Sequence, residues 1–318
     1  MQVQGLVTAN AAYIRSAASW KAVCSLLALS AGHPEASAAG FAALRHIAEN
    51  GTLITPVNFV PALDAAQAFA SSRAGGDERA VATLDLIGAM GTSVGRWAAS
   101  ASAAARQAAG SANGGGGGLT PAEAATAAAQ AAEMWMLLLR ALAAVVLTEA
   151  VAPRQHAMLL LQRLLLSDVV NDMQGDLWVL CIESLVLPLQ SELLELAATR
   201  ASVKAYADLD VTLKGSLTLM SRVFLARVQP LATIGEESFA KLWFDVIDAM
   251  EAFTTRKLHV GDDFQGDMVP HVLKNMLLVM HSEGVLTPVS SEDGSSLWER
   301  TMARVAKVAP ALRVELQG

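Results

Sequence analysis

Between Phe239 and Met280 the chain writes two amphipathic helices in succession. Phe239, Leu242, Trp243, Val246, Ile247, Met250 and Phe253 recur at helical spacing, with Lys241, Asp245, Asp248 and Glu251 on the other side. Val269, Val272, Leu273, Met276, Leu277 and Met280 repeat the pattern, with Lys274 and Asn275 between them. The join, Thr254 to Asp267, is polar and holds Gly261 and Gly266, which reads as a loop. Neither helix can hide its apolar face alone. Each needs a neighbour, and the flanking chain supplies similar segments, so the pattern predicts an all-α fold of packed helical hairpins.

Composition agrees. Of 318 residues, 53% are hydrophobic and 17% charged, enough for a sizeable core and too apolar for general disorder. The mean hydropathy of +0.39 asks for a check on membrane spans. The most apolar run, Met134 to Leu147, is interrupted by Arg140, and Met158 to Leu166 is short and holds Gln162 and Arg163. Neither approaches the ~18 or more uncharged apolar residues of a spanning helix, so both read as core helices. Net charge is −7, with no basic block, which argues against a nucleic-acid partner and against a polybasic membrane clamp. Cys24 and Cys181 each lie in an apolar helical run and read as buried, reduced thiols. The first residues show no charged segment followed by an apolar one, hence no visible signal peptide.

Taken in order, residues 11 to 29 read as helical with a break near Ser16 to Ser19, Ser19 capping a segment from Trp20 that turns Cys24, Leu26 and Leu27 inward. Pro34 suits the first turn of a helix running to Glu49, with Phe41, Leu44 and Ile47 inward and Asn50-Gly51 as its stop. A further helix carries Phe59, Val60, Leu63 and Phe69, with Pro61 either kinking it or marking its start. Another runs from Glu78 to Trp97, weakened near its end by Gly88, Gly91 and Gly95.

From 99 to 132 Ala, Ser and Gly dominate, and Gly114 to Gly118 is unbroken glycine, which reads as a flexible, low-complexity insertion between helical blocks 1–98 and 133–318. Thr120-Pro121-Ala122-Glu123 is a capping-box pattern that starts a long helix. Glu133 to Leu166 reads as one helical hairpin, with Trp135, Leu138, Leu142, Val145 and Val146 inward, a turn at Thr148 to Ala152, and Ala157, Leu160, Leu161, Leu164 and Leu165 inward on the return. A similar unit begins at Trp178, with Pro188 bending it. The separation of Trp135 and Trp178 fits a HEAT repeat of ~40–47 residues, although later spacings do not. Leu213 to Val228 is a helix with Leu217, Met220, Phe224 and Val228 on one face and Arg222 and Arg227 off it. Trp298 opens the last one.

The search for chemistry returns little. The six histidines, His33, His46, His156, His259, His271 and His281, form no helical zinc pair, and neither cysteine has a C-x-x-C partner. The glycines at 88, 91 and 95 lack the lysine and hydroxyl of a phosphate loop, and no G-x-S-x-G elbow occurs. Glu192 and Glu195 read as solvated carboxylates. No catalytic, cofactor-binding or metal-binding residue is assigned. Lys274 and Asn275 are the candidate interaction residues, against the plainer reading that Lys274 is solvated and Asn275 bonds a neighbouring carbonyl.

A resemblance adds to this reading. The run Phe239-Ala-Lys-Leu-Trp243, then Val269-Pro270, Leu273-Lys274-Asn275-Met276-Leu277-Leu278-Val279-Met280 and Ser296-Leu297-Trp298-Glu299, resembles the C-terminal helical region of the large brefeldin-A-resistance Arf guanine-nucleotide exchange factors, plant GNOM-like branch. So do Trp20, the segment Ala31 to Phe41 around Pro34, Asp64-Ala65-Ala66, Phe69-Ala70, and Arg79 with Leu84-Asp85-Leu86. The similarity is collinear over roughly 12–97 and 133–316. Trp20, Pro34, Phe41, Trp135, Arg154, Phe224, Trp243, Leu273 and Trp298 are its signature positions. It departs at 152–153, where Ala152-Pro153 replace an acidic residue and a valine before Arg154, leaving Glu149 as a partner for Arg154.

The resemblance implies an α-solenoid of HEAT/armadillo-like hairpins. It implies a non-catalytic region of an Arf exchange factor in vesicle-mediated transport, serving membrane recruitment, autoregulation and partner binding. Expected partners are other domains of the exchange factor, an Arf GTPase indirectly, and Golgi or endosomal lipids or tethering proteins, with a homodimer left open. The implied location is cytoplasmic, peripheral on Golgi and endosomal membranes. No segment resembles the catalytic exchange domain, so no catalytic residue and no cofactor carry over, and the chain is expected to be a piece of a longer protein. A freestanding solenoid adaptor is the alternative. An enzyme with an unrecognised site, the third class, would need convergent buried polar residues.

Overall fold

A computed structural model describes residues 2–49, 53–110, 120–167, 175–199, 203–256, 267–288 and 296–312. The expected glycine tract 114–118, the helix stop at 50–51 and most of the loop 254–267 lie outside them. Every described regular element is a helix, and the chain forms two compact units, Met1–Asp172 and Met173–Gly318.

The first unit holds α1 (Gln2–Asn10), α2 (Ala17–Ser30), α3 (Pro34–Glu49), α4 (Phe59–Ser71), α5 (Gly76–Gly110), α6 (Pro121–Val146) and α7 (Val151–Leu165). Their starts follow local chemistry. Ser16, not Ser19, caps α2, its hydroxyl accepting from the Ser19 amide at 3.0 Å. Prolines stand in the first turns of α3, α4 and α6, where a missing N–H is harmless, and Pro61 therefore marks a start and not a kink. Thr120 and Glu123 form the capping box in full, the Thr120 amide donating to Glu123 Oε2 at 2.8 Å and the Glu123 amide to Thr120 Oγ1 at 3.3 Å.

Cross-contacts give the directions. Asp85 meets His156 at 2.7 Å, Gly88 faces Leu160 and Gly91 faces Leu164, so α5 and α7 run parallel. Gly91 also faces Leu138, while Trp97 and Ala101 face Ala127, Ala131 and Met134, so α5 and α6 are antiparallel. Lys21 and Cys24 lie along Val60 and Asp64, and Ser72 Oγ donates to the Ala31 carbonyl at 2.6 Å, so α2 and α4 are parallel. Arg79 at the start of α5 donates to Ser37 at the start of α3 at 2.6 Å. The unit is therefore two layers of alternating helices, α2, α4 and α6 in one, α1, α3, α5 and α7 in the other.

Several expectations change here. The stretch read as an insertion continues both helices: 99–110 finish α5, 121–132 begin α6, and Ala101, Ala124 and Ala131 are buried. Alanine has the best helix propensity and lets helices approach closely, so an Ala-rich segment is helical whenever a partner helix covers it. The division between units accordingly falls at Asp172/Met173 and not at 99–132. Gly88 and Gly91 do not weaken α5. They let α7 close on it, since a methyl at Gly91 would sit 3.0 Å from Leu164 Cδ2. Leu26 and Val60, expected inward, are exposed, and Phe41 is only half-buried.

The second unit holds α8 (Gly175–Cys181) and α9 (Leu187–Ala198), joined through a π-helical turn at Ile182–Val186, then α10 (Val203–Ala226), the short α11 (Val228–Ala232), α12 (Glu236–Thr255), α13 (Val269–Ser282) and α14 (Leu297–Val308). The π turn precedes Pro188, whose missing N–H would break an α-helical ladder, so the expected bend is a local widening. α10 starts ten residues before the expected Leu213. Lys241 meets Glu183 at 2.6 Å and Arg256 approaches Glu195 at 4.0 Å, aligning α12 parallel to α9. Arg300–Glu237 at 3.2 Å and Arg304–Asp248 at 2.6 Å align α14 parallel to α12. Gln190 and Ser216 exchange two buried 2.8 Å hydrogen bonds between α9 and α10, and α10 also packs on α13. The result repeats the two-layer plan.

Two segments, Pro121–Val146 and Gly175–Ala198, are long and apolar enough to cross a bilayer by length and composition, which corrects the expectation that none reaches that length. Each buries about half of its apolar window, 56% and 50%, as core helices do.

Trp243 is anchored by both packing and a hydrogen bond. It is fully buried, stacks at 5.4 Å on Phe224, and donates from Nε1 to Thr301 Oγ1 at 3.0 Å. Thr301→Val strands that indole N–H and should cost about 1–3 kcal/mol in denaturant unfolding, whereas Thr301→Ser should retain most of the stability. In the first unit, Gly91→Val should cost about 1–3 kcal/mol by overpacking against Leu164. Gly32→Ala, which meets open space, should stay within about 0.5 kcal/mol of the parent in the same assay.

Candidate functional site

The polar groups of the first unit are engaged in holding helices together. Arg79 bridges Ser37 and the Phe41 ring, 5.9 Å away, and Phe41 packs on Phe69 at 6.0 Å. Arg154 is buried at 2% exposure, and its Nη1 donates to the Thr148 carbonyl at 3.2 Å. It thereby ties the α6–α7 turn to α7. Glu149, the expected partner of Arg154, lies 3.7 Å from Arg73, both well exposed. That pair crosses a groove of about 440 Å³ between the α4–α5 and α6–α7 turns, lined by Ser72, Arg73, Asp77, Thr148 and Glu149. An exposed pair of this kind contributes under ~1 kcal/mol.

In the second unit Lys241 sits between Glu183 and Asp245, at 2.6 and 3.1 Å, and the hydrogen bonds it donates to Glu183 and then to Asp245 hold its ammonium above the usual lysine range. Arg300 and Arg304, one turn apart on α14, cover the Phe244 ring at 4.9 and 4.3 Å. Arg227, expected off the buried face, is buried and lies 4.3 Å over the Trp178 ring. Its charge opposes, without reversing, the effect of burial on Cys181, whose thiol is pushed up to about 12. Cys24 is likewise raised to about 12, by burial first and by Asp64 second. Both thiols are protonated at neutral pH and unreactive as nucleophiles.

Among the described residues, no group of three or more His, Cys, Asp or Glu could hold a metal ion. His156 pairs with Asp85, and His281 Nδ1 lies 3.2 Å from the Leu286 carbonyl at the end of α13. His259 lies outside the described residues. Of the two candidate interaction residues, Lys274 is half-buried and Asn275 exposed on α13. Beside Asn275, one turn on, Leu278 is 50% exposed, an apolar neighbour that the inward–outward pattern of α13 did not single out.

The signature positions serve the architecture. Trp20, Trp135, Arg154, Phe224, Trp243 and Leu273 are buried, Pro34 opens α3, and Phe41 and Trp298 are half-buried. The tryptophans differ. Trp243 has its hydrogen bond, while Trp135 and Trp178 bury indole N–H groups without a hydrogen-bond partner, a cost of about 1–3 kcal/mol each set against the burial of a large ring. Sequence reasoning missed Thr301, Gln190 and Ser216, whose roles depend on what lies opposite.

Alternating helices in two parallel layers define a helical-hairpin repeat protein. Residues 135–312 match the family described as the GBF1-like tetratrico peptide repeat region, and the chain belongs to that family. It is 36% identical over 318 residues to the ARF guanine-nucleotide exchange factor GNOM of Arabidopsis thaliana, and 31% identical over 316 residues to the ARF guanine-nucleotide exchange factor GNL1 of the same plant. Each comparison covers 99% of this chain and 21% of the relative, so the chain spans about a fifth of their length. No solved structure matches it.

The buried thiols give a pH test. Their ordinary value is 9.0 and their folded value about 12, so their neutral form favours the native state. That contribution is fully present below pH 9 and is lost as pH rises from about 9 toward 12. Thermal midpoints should therefore fall between pH 8.5 and 10.5, and the Cys24→Ala, Cys181→Ala double variant should show a shallower fall.

Proposed function

We propose that this chain is the non-catalytic, regulatory and membrane-recruiting scaffold region of an Arf guanine-nucleotide exchange factor acting in Golgi and endosomal vesicle transport. The observation that carries the reading is collinear identity of 36% and 31% with two proteins named ARF guanine-nucleotide exchange factors, over 99% of this chain. The side chains support a scaffold. Arg79, Arg154, Lys241, Arg300 and Arg304 all join helix to helix or turn to helix, and the long helices present extended faces on which a partner can lie. Its partners are then other domains of the exchange factor, lipids or tethering proteins, with the Arf GTPase engaged indirectly. Its location is the cytoplasmic side of Golgi and endosomal membranes. Within this reading the outer flank of α13, with Lys274, Asn275 and Leu278, is a contact surface.

The purified chain should leave the rate of fluorescent GDP release from an Arf GTPase unchanged. An acceleration would show that catalysis resides here after all. Deleting the equivalent region from a full-length exchange factor should keep exchange in solution while reducing recruitment to Golgi membranes. Asn275→Ala with Leu278→Glu should weaken recruitment at unchanged thermal midpoint if α13 is the surface. Full recruitment of that variant would move the contact elsewhere.

A further inference from the structure

The chain contains three Thr-Pro dipeptides, Thr55-Pro56, Thr120-Pro121 and Thr287-Pro288, and no Ser-Pro. A threonine before proline is held in extended backbone, because the proline ring crowds out the helical conformation, and proline has no N–H of its own. A protein kinase that demands proline after the acceptor uses both properties: it binds the substrate extended and needs a free hydroxyl in line with ATP. In sequence the three threonines are equivalent, and the fold makes them different. Thr55 is half-buried and tied to the start of α4. Its amide donates to Asn58 Oδ1 at 2.8 Å and its hydroxyl to the same oxygen at 3.4 Å, while Asn58 is fully buried and donates to the Leu53 carbonyl at 2.8 Å. Thr120 has extended backbone, φ −66° and ψ 157°, but Glu123 occupies its hydroxyl on both sides, donating from its amide at 3.3 Å and accepting on its carboxylate at 2.9 Å. Pro121 is already the first residue of α6, so the chain turns helical where a kinase needs it extended.

Thr287 differs in each respect. It and Pro288 are exposed and belong to no helix, and among the described residues its hydroxyl makes no hydrogen bond. It is also held at a fixed place. Gly284, at φ +72°, turns the chain at the end of α13, and Leu286 then anchors it. Leu286 is 1% exposed, its N–H donates to the Met280 carbonyl at 3.1 Å, and its carbonyl lies 3.2 Å from His281 Nδ1. We propose that Thr287 is the acceptor of a proline-directed protein kinase. Thr287 Oγ1 attacks the γ-phosphorus of ATP, the bond from that phosphorus to the β–γ bridging oxygen breaks, ADP leaves, and the hydroxyl proton passes to the catalytic carboxylate of the kinase. The phosphate brings roughly −1.5 to −2 charges at neutral pH. From Asn275 to Pro288 the chain has no lysine or arginine, and the C-terminal end of α13 is itself the negative pole of that helix. The modification therefore adds negative charge at an exposed point of the second unit, a mark that an arginine-bearing surface of another protein recognises.

The test is incubation of the folded full chain with ATP and an active mitogen-activated or cyclin-dependent protein kinase, followed over time by intact-mass and peptide mass spectrometry. Phosphate should appear first, and stoichiometrically, on Thr287. Thr287→Ala should remove that modification at an unchanged thermal midpoint, which separates loss of the acceptor from loss of the fold. Pro288→Ala keeps the hydroxyl and should slow the modification more than about tenfold. A time course in which Thr55 or Thr120 is modified before Thr287 would overturn the inference. So would modification of Thr287 that is indifferent to Pro288→Ala, or a folded chain that takes up no phosphate from either kinase.

Discussion

A helix in the middle of this molecule has apolar residues over more than one flank, and it satisfies them only by touching three or more neighbours. α12 is the clearest case. Phe239, Leu242, Trp243, Phe244, Val246, Ile247, Met250 and Phe253 are all buried, against α9 on one side, α10 and α13 beneath, and α14 on the other. A single hairpin cannot supply that cover, so hairpins must stack. The same demand on α5, met by α3, α4, α6 and α7, builds the first unit on the same plan. Stacking of this kind makes stability a sum over neighbouring helices.

Charged side chains set the alignment that burial leaves free. Apolar faces tolerate sliding, because one leucine serves nearly as well as the next. The pairs Glu183–Lys241, Glu237–Arg300 and Asp248–Arg304 recur along the parallel helices of the second unit and match only in one register. Each is too exposed to add much stability. Where the ring of Phe244 lies under both Arg300 and Arg304, the charge is placed and the arginine stems gain apolar cover. In the first unit close approach has a similar effect: Gly88 and Gly91 admit Leu160 and Leu164, and a shift along the axis would drive those leucines into larger side chains.

A binding surface on such a stack is whatever remains uncovered. Two uncovered places differ in character. The outer flank of α13 is mixed, with Asn275 beside Leu278, as a rim contact with a partner would be. The stripe of Ala18, Ala22, Leu26 and Leu29 on α2 is apolar. The groove between the turns at Arg73 and Glu149 is open, and those two charges already meet each other.

Much of this was legible in the residues themselves. Helical periodicity, the capping box at Thr120 and Glu123, and prolines in first turns locate most helices, because each signal acts over three or four residues. The collinear signature points to the family. What the chain alone did not decide is every feature that needs a second helix. The Ala-rich stretch reads as a linker in isolation and becomes the ends of α5 and α6 because each covers the other. Leu26 and Val60 fit an inward pattern yet are exposed, since burial depends on where the neighbouring helices fall. Arg227, read as lying off the apolar face of its helix, is buried against an indole ring, and Arg154 is buried against a turn carbonyl. Local chemistry determined where helices begin and end. Which faces are inside was decided by tertiary structure, because burial belongs to pairs of helices and is not written in either one.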